Sequence, residues 1–322
     1  MLVLLSKNNV TKGERMKKCS VLFLLVVSII SFFIGCGGEK KLVGAIPAEG
    51  IVVSYEPAAG KTVFYRSDAD VLTEFTEKGY HQSSLSKTTR YESFTINSFE
   101  SGVTSITYGF LNSETGIFRE GVFEMQDEED DLIGQELTIS VDENGDLVKW
   151  SGLEDLEVDD SGVDQREMLA SIYASIYLDH FPPERIKVGS TWKRENSMDV
   201  STSEGDMHQS ITKTYTVEDF VEKNGYPCVK CKIKIVFENT GEGTTEGEGE
   251  EYAYYNEGVG EGNGTVYFGF ESGYTVYSTF NWIIDFTITS VNQNTQEEGE
   301  FTYYQEQKVT YNLVDESEIP NE

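Results

Sequence analysis

This chain has little cysteine, proline or histidine, and it is poor in positive charge. Four cysteines in 322 residues exclude a disulfide-stapled scaffold, so core burial must hold the fold together. Six prolines leave long stretches open to regular pairing. The three histidines, His81, His180 and His208, are not spaced with the cysteines as zinc sites require. No Gly-x-Ser-x-Gly elbow, His-Glu-x-x-His helix or phosphate-cradling glycine loop occurs. No catalytic residue, no metal site and no cofactor is therefore expected. The 25 basic residues face 56 acidic ones, for a formal charge of −31. A field of that sign repels nucleic acid and anionic lipid surfaces, so no nucleic-acid partner is expected. So many carboxylates offer endless pairs for glycoside hydrolysis, and the alternative of an uncharacterised hydrolase therefore points to no particular residue.

What is abundant is aromatic and alternating. Eighteen Tyr, 18 Phe and 3 Trp supply material for a core and argue against wholesale disorder. From Val276 to Ile288, Val276, Phe280, Trp282, Ile284, Phe286 and Ile288 are expected on one face, with Asn281 and Asp285 on the other. Ile211–Tyr215–Val217–Val221, Ile233–Ile235–Phe237, Leu137–Ile139–Val141 and Phe301–Tyr303–Val309–Tyr311 alternate in the same way. Period two over such lengths means strands buried on one face and wet on the other, the antiparallel habit. Asn224-Gly225, Ser272-Gly273 and Glu143-Asn144-Gly145-Asp146 supply turns. The last of these, with Asp142, faintly suggests a calcium loop, but its Gly is fourth and its twelfth residue is Leu153; a hairpin turn fits better. A shift of roughly 128 residues lays His81-Gln82-Ser83 on His208-Gln209-Ser210 and Gly134…Gly145 on Gly262…Gly273, as a duplicated unit would. The expected fold is all-β with one connecting helix: two tandem antiparallel units of long amphipathic strands, in a curved sheet or half-barrel.

The helix falls between the copies. Asp160 or Ser161 could cap it, Pro182-Pro183 stops it, and Met168, Leu169, Ile172, Ile176 and Tyr177 form a stripe at helical spacing. Packing against a sheet is the expected use of that stripe. The like charges of Asp127–Asp131 cannot sit in a core. The Gly/Glu/Thr stretch Gly241–Glu251 reads as a mobile excursion between strands. Cys228-Val229-Lys230-Cys231 would be a redox motif at a helix N-terminus. Its flanks instead alternate as a strand, which points the two cysteines to opposite faces with Cα atoms about 10 Å apart. That separation exceeds the roughly 7 Å limit for a bond. One core and one surface cysteine are expected; a disulfide between Cys228 and Cys231, helped by Pro227, is the alternative.

The N-terminus has the parts of a secretory signal. Lys17 and Lys18 precede the apolar run Val21–Ile34, which falls short of the roughly 20 residues that span a bilayer. Phe33-Ile34-Gly35-Cys36 resembles the lipobox of bacterial lipoproteins, with Phe33 in place of the usual Leu. The resemblance implies removal of residues 1–35 (1–15 being an upstream extension if Met16 is the true start), acylation of Cys36, and envelope localisation. By the same resemblance, Gly37 rather than Asp after the cysteine implies delivery to the outer membrane, if the cell has one. Removal takes five basic and one acidic residue, leaving 287 residues at a formal charge of −35. A lipid-anchored tether over 36–58 with Pro47 and Pro57, a first β unit over 59–158, the helix region over 159–183, a second β unit over 184–316 and a tail over 317–322 would follow.

Pro183-x4-Val188-Gly189-x-x-Trp192, after a helix and before long strands, is similar to an opening seen in bacterial lipoproteins with duplicated β units. The long strands with one helix look like the LolA/LppX-type half-barrels, in which a curved sheet wraps a helix and can enclose a lipid. Two functions follow: a non-catalytic envelope lipoprotein that binds or scaffolds an envelope protein at the membrane surface, or a carrier of an apolar ligand in a cavity lined by Phe280, Trp282, Ile284 and Phe286.

Overall fold

In the computed structural model, residues 39–42, 46–53, 59–77, 79–119, 122–125, 131–142, 146–154, 156, 165–177, 181–201, 205–247 and 250–320 are described. They build one antiparallel sheet of 13 strands. In chain order the strands are β1 (Lys40–Lys41), β2 (Thr62–Glu77), β3 (Tyr80–Glu100), β4 (Val103–Arg119), β5 (Val122–Met125), β6 (Glu136–Val141) and β7 (Leu147–Gly152). After the helix α1 (Gln165–Tyr177) come β8 (Thr191–Ser201), β9 (Gly205–Lys223), β10 (Tyr226–Gly247), β11 (Glu250–Gly269), β12 (Tyr274–Asn292) and β13 (Glu298–Val314). The longest, β10, has 22 residues, about 70 Å at strand rise.

The order across the sheet is β1-β9-β10-β11-β12-β13-β2-β3-β4-β6-β7, with β8 also on β9 and β5 also on β4. The two expected units are therefore one sheet, joined where β13 pairs with β2 from Phe301↔Glu77 to Val314↔Phe64. The same shift of roughly 128 residues that aligns the sequence carries β4 onto β10 and β6 onto the second half of β11. In the first half β5 and β6 both pair with β4, near its two ends, whereas the single β11 pairs along β10. The carboxylates 127–130, between β5 and β6, lie outside the described residues.

The sheet does not close, and one face carries the core, at the end of the tight turns Ser101-Gly102, Asn224-Gly225 and Ser272-Gly273 (the base). One cluster there joins Val63, Phe94, Ile106, Tyr108 and Leu137 of the first-half strands to Ala170, Tyr173 and Ala174 of α1. The helix packs against the sheet as expected, through Leu169 of the apolar stripe and through Tyr173, which the stripe omits. The side chains of Met168, Ile172, Ile176 and Tyr177 and the caps Asp160 and Ser161 lie outside the described residues. A second cluster, with Tyr215, Val217, Ile233, Ile235 and Phe268, is covered by Val53, Phe181 and Ile186.

Two expectations about chain course are corrected here. The segment read as a tether docks on the sheet: Lys40 and Lys41 pair with Glu222 and Val221, and Ile51 bridges Ile186. Pro47 fits, because it terminates nothing and lies in a covering loop. Among the described residues Gly241–Glu251 is strand, not a loop excursion: β10 runs to Gly247 and β11 starts at Glu250. In its described part Gly241 and Gly243 share one face and the exposed Glu242 takes the other, which strand geometry permits without a core position for charge.

Candidate functional site

Cys36 itself lies outside the described residues, but the chain three residues later is fixed. Glu39 accepts hydrogen bonds from the Tyr267 hydroxyl and from Lys230 Nζ, the latter at 3.1 and 3.2 Å. Lys41 pairs with Asp219 at 2.6 Å. Leu42 donates its backbone N–H to the Phe220 carbonyl at 3.0 Å. Lys223 Nζ stands 4.6 Å from the ring centre of Tyr277 and 5.2 Å from that of Tyr267, within cation–π range. The Tyr267 hydrogen bond, and after it Lys230, holds the Glu39 carboxyl below its usual range. Lys41 does the same for Asp219. Burial, then the bond to Glu39, pushes the Tyr267 hydroxyl up to about 12. Burial pulls on Lys230 in the other direction, but Tyr267 and Glu39 outweigh it and leave the ammonium above its ordinary value. The Lys230 ammonium and the Tyr267 hydroxyl thus clamp the first described residue to β10 and β11. Glu39 and Lys230 stand 191 positions apart, so no local sequence pattern could have joined them.

Cys228 and Cys231 do face opposite sides of the sheet, yet both are buried and neither is bonded. Cys231 sits in the core cluster with Ile233 and Ile235. Cys228 has 0% exposure in a small third cluster with Val221, Tyr267 and Val276. The expected surface cysteine and the alternative disulfide are both corrected. The other face is not bare at this point, because Tyr226 and Tyr277 roof it. Burial pushes the Cys228 thiol up to about 12, so it is a packing residue and not a nucleophile.

Val276 joins that outer cluster, away from Phe280, because a bulge interrupts the β11–β12 register between Tyr267 and Phe268. The residues expected to line a cavity lie across a glycine stripe. Phe280, Trp282, Ile284 and Phe286 pair with Gly264, Gly262, Gly260 and Gly258 of β11. A Cβ at Gly258 would stand 2.4 Å from the Phe286 ring, and one at Gly264 would stand 2.5 Å from Phe280. The large side chains therefore occupy the space over β11 and reach β10, where Phe286 meets Phe237 edge-on at 5.8 Å. Phe280 and Trp282 pack on the second core cluster, and Ile284 keeps 7% exposure. Near the open end of the sheet the row continues half-buried through Tyr303, 5.9 Å from Phe286, and through the Phe301–Phe75 pair, also 5.9 Å apart.

Two further polar groupings escaped the sequence reading. The Tyr173 hydroxyl donates to the buried Glu92 at 2.7 Å, and burial, then the Glu92 charge, drives that hydroxyl far above its usual value. His208 Nδ1 lies 2.7 Å from Asp199 on exposed β9 and β8. Among the described residues no three His, Cys, Asp or Glu side chains converge on a metal-sized site, and no helix is long and apolar enough to cross a membrane.

No family model matches this chain, and no curated protein does. Solved structures do match at low similarity. Pseudomonas aeruginosa OccK2 (OpdF) is 5% identical, covering 80% of this chain and 99% of that one at a TM-score of 0.22. P. aeruginosa OpdQ is 6% identical, covering 80% and 100% at a TM-score of 0.22. A mutant of the Rh. blastica porin is 8% identical, covering 78% and 100% at a TM-score of 0.21. Superposition of that quality carries no argument about function.

Proposed function

We propose that this chain is a lipoprotein of the bacterial cell envelope, attached to a membrane, in the first instance the outer one, through Cys36. Its acidic sheet is then a non-catalytic domain that binds or scaffolds at the membrane surface. The observation that carries this reading is the clamp on Glu39 and the pairing of Lys40-Lys41 with β9. Two glycines, Gly37 and Gly38, separate Glu39 from Cys36, and the three residue steps give a covalent reach of at most about 11 Å. Acyl chains on Cys36, each contributing about 0.8 kcal/mol per buried CH₂, would hold the β9 edge within that distance of the bilayer. The sheet would be held close, not trailed on a leash. Its core face is already occupied at the base by α1 and the 46–53 and 181–190 segments, which leaves the opposite face for a partner.

Metabolic labelling with a fatty acid tests the anchor. Wild type takes up label and Cys36→Ala does not; equal labelling of both sinks the reading. The half-buried row Phe286, Tyr303, Phe301 and Phe75 favours a second reading, an apolar ligand carried on the core face near the open end. Native mass spectrometry of the Cys36→Ala protein decides it: a co-purifying lipid supports carriage, and a bare protein removes it.

A further inference from the structure

Arg194 of β8 is a cation on the apolar face of an acidic chain. It follows Trp192, which packs on the second core cluster, by two residues, so both point to the same side. Register places Lys213 of β9 directly opposite it, at 8% exposure, and carries the row on through Ile235, Gly262, Trp282 and Gln307. Like charges directly opposite each other destabilise a strand pair. Lys213 makes other interactions as well. The half-buried Arg194 side chain makes no hydrogen bond or ion pair among the described residues, and its Nε–H is shut off from water without an acceptor. Neither this row nor the rows beside it, from Trp192 to Val309 and from Asn196 to Gln305, contains an acid. Among the described side chains, the strands first place carboxylates on this face at Glu77, Glu92, Glu124 and Glu222. Strand rise and spacing set each of them at least about 25 Å from Arg194, or about three Debye lengths at physiological salt. The covering segments 46–53 and 181–190 add Glu49 and Glu184 against Arg185 and Lys187, which sums to zero. Glu195 and Asp199 of β8 face the other way, across the sheet.

We propose that the core face takes an amphiphile with one anionic head, a carboxylate or a phosphate, whose apolar chain runs from Arg194 toward the open end. This names the ligand for the carrier reading above and rests on that reading. A guanidinium presents its N–H donors in a fixed fork that matches two oxygens of such a head. Seated there, the head would accept from the unbonded Nε–H and lie beside the Arg194–Lys213 pair, where its charge offsets two like ones. Ile211, half-buried, and Phe237 stand one row further on, about 8 and 12 Å from Arg194 by strand spacing. Beyond them comes the half-buried row Phe286, Tyr303, Phe301 and Phe75. A neutral ligand would leave the Nε–H unmet, and a cationic one would add a third like charge.

Titration of the detergent-free Cys36→Ala chain with dodecanoate, followed by tryptophan fluorescence, tests the proposal. Dodecyl phosphate, the neutral dodecyl maltoside and the cationic dodecyltrimethylammonium run beside it, each below its micelle concentration. One or both anions should bind, with the neutral and cationic chains about tenfold weaker. Preference for an anion over a cation of the same chain length runs against the net charge of −31, which attracts cations at a distance. Arg194→Ala should weaken the anions about tenfold and leave the maltoside unchanged. Arg194→Lys should keep part of the preference, since a point charge replaces the fork. Arg66→Ala, whose guanidinium pairs with Asp68 at 2.8 Å on the other face, should bind as its parent does. Circular dichroism confirms that the variants fold, and the comparison of head groups needs no variant. Unchanged anion affinity in Arg194→Ala, or ammonium binding as tight as that of the anions, overturns the proposal. The maltoside separates it from the carrier reading: maltoside binding as tight as the anions leaves carriage standing and removes the anionic head, whereas no binding by any chain removes both.

Discussion

Gly258 gives the sharpest test of how this sheet is packed. Glycine inside a strand ordinarily costs about 0.5–1 kcal/mol relative to alanine, so Gly258→Ala would be expected to stabilise a strand with open space above it. Here the added methyl would lie 2.4 and 2.5 Å from two carbons of the Phe286 ring and 3.3 Å from the Asn239 Cβ. The ring cannot swing freely, because Phe237 and Tyr303 flank it at 5.8 and 5.9 Å. Overpacking of this kind costs about 1–3 kcal/mol. Net of the gain in chain stiffness, Gly258→Ala should destabilise by about 1–2 kcal/mol. For a domain of this size that lowers Tm by about 3–6 °C, readable by urea and thermal unfolding followed through tryptophan fluorescence. Phe286→Ala destabilises on its own by loss of burial, but the double variant should recover about 1 kcal/mol or more of coupling, because the methyl then fills vacated space. Gly225→Ala is the contrast: nothing lies within 4 Å of its Cβ position, yet φ is +82°, so it loses stability through backbone strain and shows no coupling to Phe286. A stabilised Gly258→Ala, or strict additivity with Phe286→Ala, would refute the picture of side chains laid over a glycine stripe.

Three further outcomes follow from the buried and clamped groups. A thiol reagent should label neither Cys228 nor Cys231 in the folded protein and both in urea; rapid native labelling of either contradicts their burial. The folded Cys228 thiol is raised to about 12, so its contribution to stability is complete below the ordinary thiol range and is lost as pH rises toward that value. Tyr173→Phe removes the donor to the buried Glu92 and should lower stability by about 1–3 kcal/mol, the usual size for a hydrogen bond to a charged group; an unchanged denaturation midpoint would show that α1 is held by its apolar contacts alone. The Glu39 carboxyl is depressed in the folded state, so its clamp is complete above the ordinary carboxylate range and loosens as pH falls below it. Protection of the amides at residues 39–42, taken relative to the intrinsic exchange rate at each pH, should therefore fall on acidification, and Glu39→Gln should remove that fall; pH-independent protection in the wild type would exclude the clamp.

The strands were legible because their pattern is repeated many times. Ile233, Ile235 and Phe237 announce a buried face from β10 alone, and the position of α1 follows from Pro182-Pro183 and one apolar stripe. What escaped depends on the neighbouring strand. Val276 breaks its alternation because of a bulge between β11 and β12, and one strand's sequence does not record the register of the next. Gly241–Glu251 reads as a loop by composition, yet Gly241 and Gly243 pair with Asn256 and Tyr254 across the β10–β11 ladder, a partner that the stretch itself does not announce. Cys228 reads as a surface residue until Tyr226 and Tyr277 are seen to roof it.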